Sequence, residues 1–253
     1  MCTLTLAWQV FPDAPVVVAA NRDELFGRPS DPPAVVDEEP RIVAPRDAEA
    51  GGTWIGYNEH GLLVAITNRW TDADLAGERS RGLLVRDALR RESADDAARF
   101  VEREVDEREV DEREYDGFNL VLADDAAAHL FEWDGRLGFS RLEPGVHVVV
   151  NVGADGEFAV PDIRPEAARE QAGNARDVRA ALTPESGETA EDWIDRAGDV
   201  LADHEYGVCV HGDGLGTRSS SLVLLGERGA RYWFADGPPC ETTYREVDLE
   251  GQV

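Results

Sequence analysis

The order in which β-like and helix-like segments follow one another is the tightest constraint on this chain. It opens with two β-rich stretches, CTLTLAWQVF and APVVVAANRDE, which a short PDAP turn joins into a hairpin. RPSDPPAVVDEEP, rich in proline and acid, reads as a surface loop, and GGTWIGYNEHGLLVAITNRW as two further strands about the turn NEHG. From Arg81 to Glu104 the apolar residues recur at helical spacing, with a second helix restarting at Ser93. Alternation then resumes in GFNLVLADDAAAHLFEWDGRLGFSRLEPGVHVVVNVG, with turns at ADDA, WDGR and EPG. Helical blocks follow over Arg164 to Leu182 and Glu191 to Asp203, before YGVCVHGDGLGTRSSSLVLLGERGARYWFADGPP closes the chain in strands. Hairpins segregated from helical blocks predict an α+β fold with antiparallel sheets, not a parallel βαβ sheet. No linker-like stretch interrupts the pattern, so a single domain over 1–253 is expected. One oddity interrupts it, REVDEREVDEREYD, whose five-residue unit matches no helical period. It reads as a solvated helical extension or an acidic insertion around 102–115.

Charge narrows the surroundings. The chain carries 52 acidic residues against 25 basic ones, a net charge of −27, and every basic residue is arginine. Such a surface repels itself in dilute salt, and at molar salt the Debye length shrinks to about 3 Å and the repulsion is screened. The expectation is the cytoplasm of a halophile, in particular a halophilic archaeon. Nucleic acid is an unfavourable partner for this charge, and without lysine there is neither Schiff-base nor P-loop chemistry. No apolar run approaches the roughly 20 residues of a membrane helix, so no membrane insertion is expected. Three scattered cysteines, Cys2, Cys209 and Cys240, make no disulfide framework.

Two places concentrate chemistry. Removing Met1 would make Cys2 the first residue, and its thiol and free α-amine would then be a nucleophile and a base in one residue. In AANRDELFGRP, four polar residues follow an apolar strand, with Asn21 and Asp23 on one face and Arg22 and Glu24 on the other. An acid beside Cys2 would hold its ammonium, and a guanidinium would favour its thiolate. CVHGDG sets Cys209 and His211 two apart, but no second pair stands at metal spacing, so core packing is the reading and no metal site is expected.

MCTLTL, NRDE, GGTWIGYNEHGLLVAITNRW and GTRSSS, in this order, resemble the NRDE family, the transport and Golgi organization protein 2 family. More broadly, the chain resembles the N-terminal-nucleophile (Ntn) hydrolases of the choloylglycine hydrolase and penicillin V acylase group. These also begin Met-Cys-Thr and share a stretch like NEHGLLVAITN. The resemblance implies a four-layer αββα sandwich of two antiparallel sheets. It implies Cys2 as nucleophile, its freed amine as base, Asp23 as the partner of that amine, and Asn68 and Asn151 as oxyanion donors. Asn21, Arg22, Arg69 and Arg218 are the residues expected to hold substrate. Relative to the hydrolases, Ala20 stands where they place an arginine, and Arg22 falls on the opposite side of the strand.

Two functions follow from the resemblance. One is a cysteine Ntn amidohydrolase that cleaves a small acylated amide and requires no cofactor. The other is a non-catalytic carrier or chaperone for haem or for an acyl-CoA or other lipid, with the arginines holding propionates or phosphates.

Overall fold

The computed structural model describes residues 2–105 and 115–248. In chain order the elements are β1 (Thr3–Phe11), β2 (Ala14–Leu25), β3 (Ser30–Glu38), β4 (Arg41–Asp47), β5 (Ile55–Asn58), β6 (Leu63–Asn68), α1 (Arg81–Ala88) and α2 (Ala94–Val105). They continue with β7 (Phe118–Ala123), β8 (Ala128–Trp133), β9 (Leu137–Arg141), β10 (Gly145–Val150), β11 (Gly153–Ala154) and β12 (Glu157–Phe158). Then come α3 (Pro165–Ala181), α4 (Ala190–Ala202), a 3-10 turn (His204–Tyr206), β13 (Leu215–Gly226), β14 (Gly229–Ala235) and β15 (Arg245–Glu246). The expected α+β class with two antiparallel sheets is what the chain adopts. No helix among the described residues is long and apolar enough to cross a membrane.

The chain divides into two compact units. The first comprises residues 2–28, Pro144–Val160 and Arg164–Val247. Its sheet runs β12-β11-β10-β1-β2-β13-β14-β15. The opening hairpin is its centre: β1 pairs β2 from Thr3 opposite Asn21 to Trp8 opposite Val16, then slips where Gln9 takes a positive φ of 54°. β1 also pairs β10, with Thr3 opposite Val150, and β2 pairs β13, with Ser220 opposite Asn21. Helix α3 packs on β10, and α4 packs on β2 and β13. Proline at the first turn starts α3, where its missing N–H costs nothing. Thr189 and Asp192 close a reciprocal capping box on α4. Trp193 of α4 is fully buried, 6.1 Å from the Phe11 ring, and its indole donates to the Leu182 carbonyl at 2.9 Å.

The second unit comprises, among the described residues, 29–105, 115–143, Pro161–Ile163 and Asp248. Its sheet is a meander in sequence order, β3 to β9. Ile42, Leu62, Val64, Phe118, Leu120, Leu122 and Phe131 share a core with Leu84 and Val85 of α1 and with Ala97 and Val101 of α2. Gly52 and Gly82 make one contact possible: a Cβ on Gly52 would lie 2.3 Å from the Gly82 carbonyl carbon. That approach lets the Thr53 N–H donate to the Gly82 carbonyl.

One expectation fails here. The stretch read as a surface loop, RPSDPPAVVDEEP, holds strand β3. It forms the sheet's edge, and its pairing with β4 breaks between Asp31 and Ala34, where Pro32 and Pro33 sit. Prolines are tolerated at an edge and at a register break because no ladder donor is needed there. Of the repeat expected around 102–115, residues 102–105 form the end of α2, Tyr115 makes a parallel bridge with Arg79, and 106–114 lie outside the described residues.

Candidate functional site

Three strands of the first unit meet at the head of β1. Register places Thr3 between Asn21 and Val150, so Cys2, one residue earlier, falls between Arg22 of β2 and Asn151 at the end of β10. The half-buried Cys2 donates its backbone N–H to Asn151 Oδ1 at 2.9 Å. Gln171 of α3 donates from Nε2 to the same oxygen, also at 2.9 Å. Two donors converging on one atom, one of them a backbone N–H that cannot be reassigned, fix the orientation of this amide. Asn151 and Gln171 are both buried. Asn151 therefore presents an acceptor to the Cys2 nitrogen.

The Cys2 thiol lies 3.7 Å from the Asp23 backbone carbonyl, to which it donates. Burial first, and then the Asp23 carboxylate, raise the Cys2 thiol above its ordinary range. In this setting the thiol rests protonated, so its use as a nucleophile requires a base. The Asp23 carboxyl is buried and is pushed up to about 7 by that burial, although the Thr217 hydroxyl, donating to Oδ1 at 2.6 Å, works in the opposite direction. Asp23 can thus exchange a proton near neutrality.

Alternation along β2 separates the neighbours as the sequence predicts. Asn21 donates from Nδ2 to the Leu201 and Val208 carbonyls at 2.9 Å each, which ties it to the end of α4. Arg22 pairs with Glu24 at 3.6 Å, on the alternate side of the strand. In β13 a register slip between Thr217 and Ser219 inserts Arg218 as an extra residue, and its guanidinium lies 3.7 Å from Asp236.

The remaining expected residues belong to the second unit. Asn68 ends β6, exposed and in register with Phe118. Arg69 is half-buried and its guanidinium is engaged: it donates to Asn119 Oδ1 at 2.8 Å and Glu132 Oε1 at 2.6 Å, with Asp134 at 3.7 Å.

The sequence reading missed Gln171 and Thr217. Gln171 is a polar residue on the inner face of α3, a signal that a helical wheel of PEAAREQAGNARDVRAA contains. Thr217 carries no local signal, because its meaning depends on pairing with Asp23, 194 residues earlier. Cys209 is buried, as core packing implies, and the fold brings His204 and Cys240 beside Cys209 and His211, a proximity that the sequence alone did not show.

The family model described as Transport and Golgi organisation 2 matches residues 1–235. The chain belongs to this family. A Transport and Golgi organization protein 2 homolog from Homo sapiens is 27% identical over 235 residues, which cover 85% of this chain and 83% of that protein. The homologs from Mus musculus and Bos taurus are 34% and 32% identical over shorter stretches, 43% and 44% of this chain. These matched stretches span only 38% and 40% of the mouse and bovine proteins. Among solved structures, a penicillin V acylase from Agrobacterium tumefaciens aligns with a TM-score of 0.57 at 13% identity, covering 99% of this chain and 87% of its own. The Caenorhabditis elegans ortholog of N-acylethanolamine-hydrolyzing acid amidase also gives 0.57, at 12% identity, with 88% and 92% covered. A conjugated bile acid hydrolase from Clostridium perfringens, solved as its C2A mutant, gives 0.52 at 10% identity over all of this chain and 94% of its own. These likenesses establish an Ntn-hydrolase-type fold for this member of the family, and at such identities they establish the fold alone.

Proposed function

We propose that this protein is a cysteine Ntn-type amidohydrolase acting on a small acylated amide. The observation that supports it best is the seat of the Cys2 nitrogen, 2.9 Å from an asparagine oxygen that Gln171 locks in place. Once Met1 is removed, that nitrogen becomes an α-amine whose position is already set. In the proposed reaction the amine takes the thiol proton as Cys2 Sγ bonds to the acyl carbon, which the raised thiol pKa requires. The resulting ammonium, held by Asn151 Oδ1 and partnered by Asp23 as the family resemblance implies, returns a proton to the departing nitrogen as the C–N bond breaks. Water then attacks the thioester, giving one proton to the amine, and the acid leaves with the thiol restored. Asn68 as an oxyanion donor rests on the family resemblance, and loss of such a donor costs about 100- to 1,000-fold in kcat.

The test is an intact mass measured in high salt, before and after a reactive acyl donor, with peptide mapping of the adduct. Loss of Met1 together with an acyl group on Cys2 is expected, and Cys2→Ala should fold but neither acylate nor turn over. A folded protein that retains Met1, or whose Cys2 stays unreactive, would overturn the reading. It would turn attention to the carrier for haem, acyl-CoA or lipid, whose ligand binding is indifferent to Met1.

A further inference from the structure

A second cluster of reactive side chains lies in the same unit, among residues that the proposed hydrolysis does not use. His204 belongs to the 3-10 turn after α4, Cys209 and His211 follow in the next loop, and Cys240 comes from the segment after β14. One ligand atom from each lies within 4.8 Å of all the others. The Cys240 Sγ is 3.1 Å from His211 Nε2, the two sulfurs are 3.5 Å apart, and Cys209 Sγ is 3.7 Å from His211 Nε2. Bonds of about 2.3 Å to sulfur and 2.0 Å to nitrogen, arranged tetrahedrally, place ligand atoms about 3.3–3.8 Å from one another. The three spacings among Cys209, His211 and Cys240 fall around that range, and the His204 atom lies within 4.8 Å of each. The sulfurs are well beyond the roughly 2.05 Å of a disulfide bond.

From this geometry we propose that His204, Cys209, His211 and Cys240 form a tetrahedral zinc site. Two thiolates and two imidazoles are a donor set that suits zinc, and four protein ligands leave no open position, so the site is structural. On binding, each thiol releases its proton to solvent, which makes occupancy fall at low pH. Local backbone geometry already favours the arrangement. Gly207 turns the chain in the left-handed region, with φ 63°, between His204 and Cys209. Val210, between the two loop ligands, is clamped to Thr217 twice: its N–H donates to Thr217 Oγ1 at 2.8 Å, and its carbonyl accepts from the Thr217 N–H at 2.8 Å. Gly216 permits this, because a Cβ there would lie 2.5 Å from the Val210 oxygen.

The loop that zinc would fix is the one that holds Asn21 through the Val208 carbonyl and Thr217 through Val210. A bound ion therefore braces Thr217, and through it the Asp23 carboxyl. The site itself stands independently of any activity, and its test uses none.

The full chain is produced in zinc-supplemented medium, kept reduced in molar potassium chloride, and assayed for metal by elemental mass spectrometry alongside its thermal midpoint. One zinc per chain is expected, with phenanthroline lowering the midpoint. Cobalt exchanged into the protein should give the intense visible bands of a tetrahedral thiolate complex. His204 and His211 are exposed, so His204→Ala and His211→Ala remove no core packing, and each should lose most of the zinc while remaining folded. A folded, reduced parent chain with no zinc overturns the proposal, as do zinc retained in both variants, a Cys209–Cys240 disulfide formed in preference to metal binding, or another metal that zinc cannot displace.

Discussion

Asp23 carries a pH dependence whose sign follows from where its proton sits. In the unfolded chain an aspartate titrates near 4, whereas burial in the folded chain raises Asp23 to about 7. Between these values the folded state holds a proton that the unfolded state has lost. Stability from this group is thus full below about pH 4, declines as pH rises to about 7, and is level above that. The total loss is on the order of 4 kcal/mol at most, from three pKa units at about 1.4 kcal/mol each. Asp23→Asn should remove that slope, which denaturant midpoints of parent and variant at fixed molar salt would show; parallel pH profiles would contradict it. Cys2 and Asp23 stood out in the sequence because each lies at the end of an apolar strand, whereas Asn151 came only from the family resemblance, as an oxyanion donor; its oxygen accepts from the Cys2 nitrogen. Gln171 and Cys240 did not stand out, because each acquires its role from a partner at least 20 residues away.

Element by element, the pattern was readable wherever periodicity was strong. α1 and α2 separate where Ser93 restarts the helix, and α3 and α4 lie within a residue of their expected bounds. β3 was misread because its prolines describe an edge strand as well as they describe a loop, and only the presence of β4 decides between them. The sheet order was not readable at all: β1 pairs with β10, about 140 residues on, and nothing local in either strand names the other. Energetically, α4 depends on a single large side chain. Trp193 fills the space under β1's Phe11 and also satisfies the Leu182 carbonyl just past α3, so it joins both helices to the sheet. Trp193→Ala should cost about 3–5 kcal/mol in chemical denaturation, the range for deleting a large buried aromatic. Trp193→Phe keeps much of the packing and loses the indole donor, so its loss should be clearly smaller. Equal losses in the two variants would mean that the hydrogen bond, not the filled volume, dominates.

Across the whole molecule, charge is the dominant unbalanced quantity. Arginines are well used where they pair, as Arg79 does with Asp87 at 2.6 Å and Arg196 with Glu188 at 2.7 Å. With 52 acids and 25 arginines, however, pairing cannot neutralise the surface. Exposed pairs contribute at most about 1 kcal/mol each, so they do not offset repulsion spread over the whole chain. Folding brings these carboxylates closer together than they are in the expanded chain, and the compact state bears the larger penalty. Screening reduces that penalty: the Debye length is about 10 Å at 0.1 M salt and about 3 Å at 1 M. The thermal midpoint should therefore rise steeply with potassium chloride up to the molar range and then flatten as the screening length falls below the spacing of the charges. Salt also strengthens burial of apolar surface, and the two causes separate by the choice of solute. Screening depends on ionic strength, so chloride and sulfate salts matched in ionic strength should stabilise alike, and sucrose should not reproduce the initial rise. A midpoint that climbed equally well in sucrose, or much further in sulfate than in chloride at matched ionic strength, would show that screening of the acidic surface is not the cause of the rise.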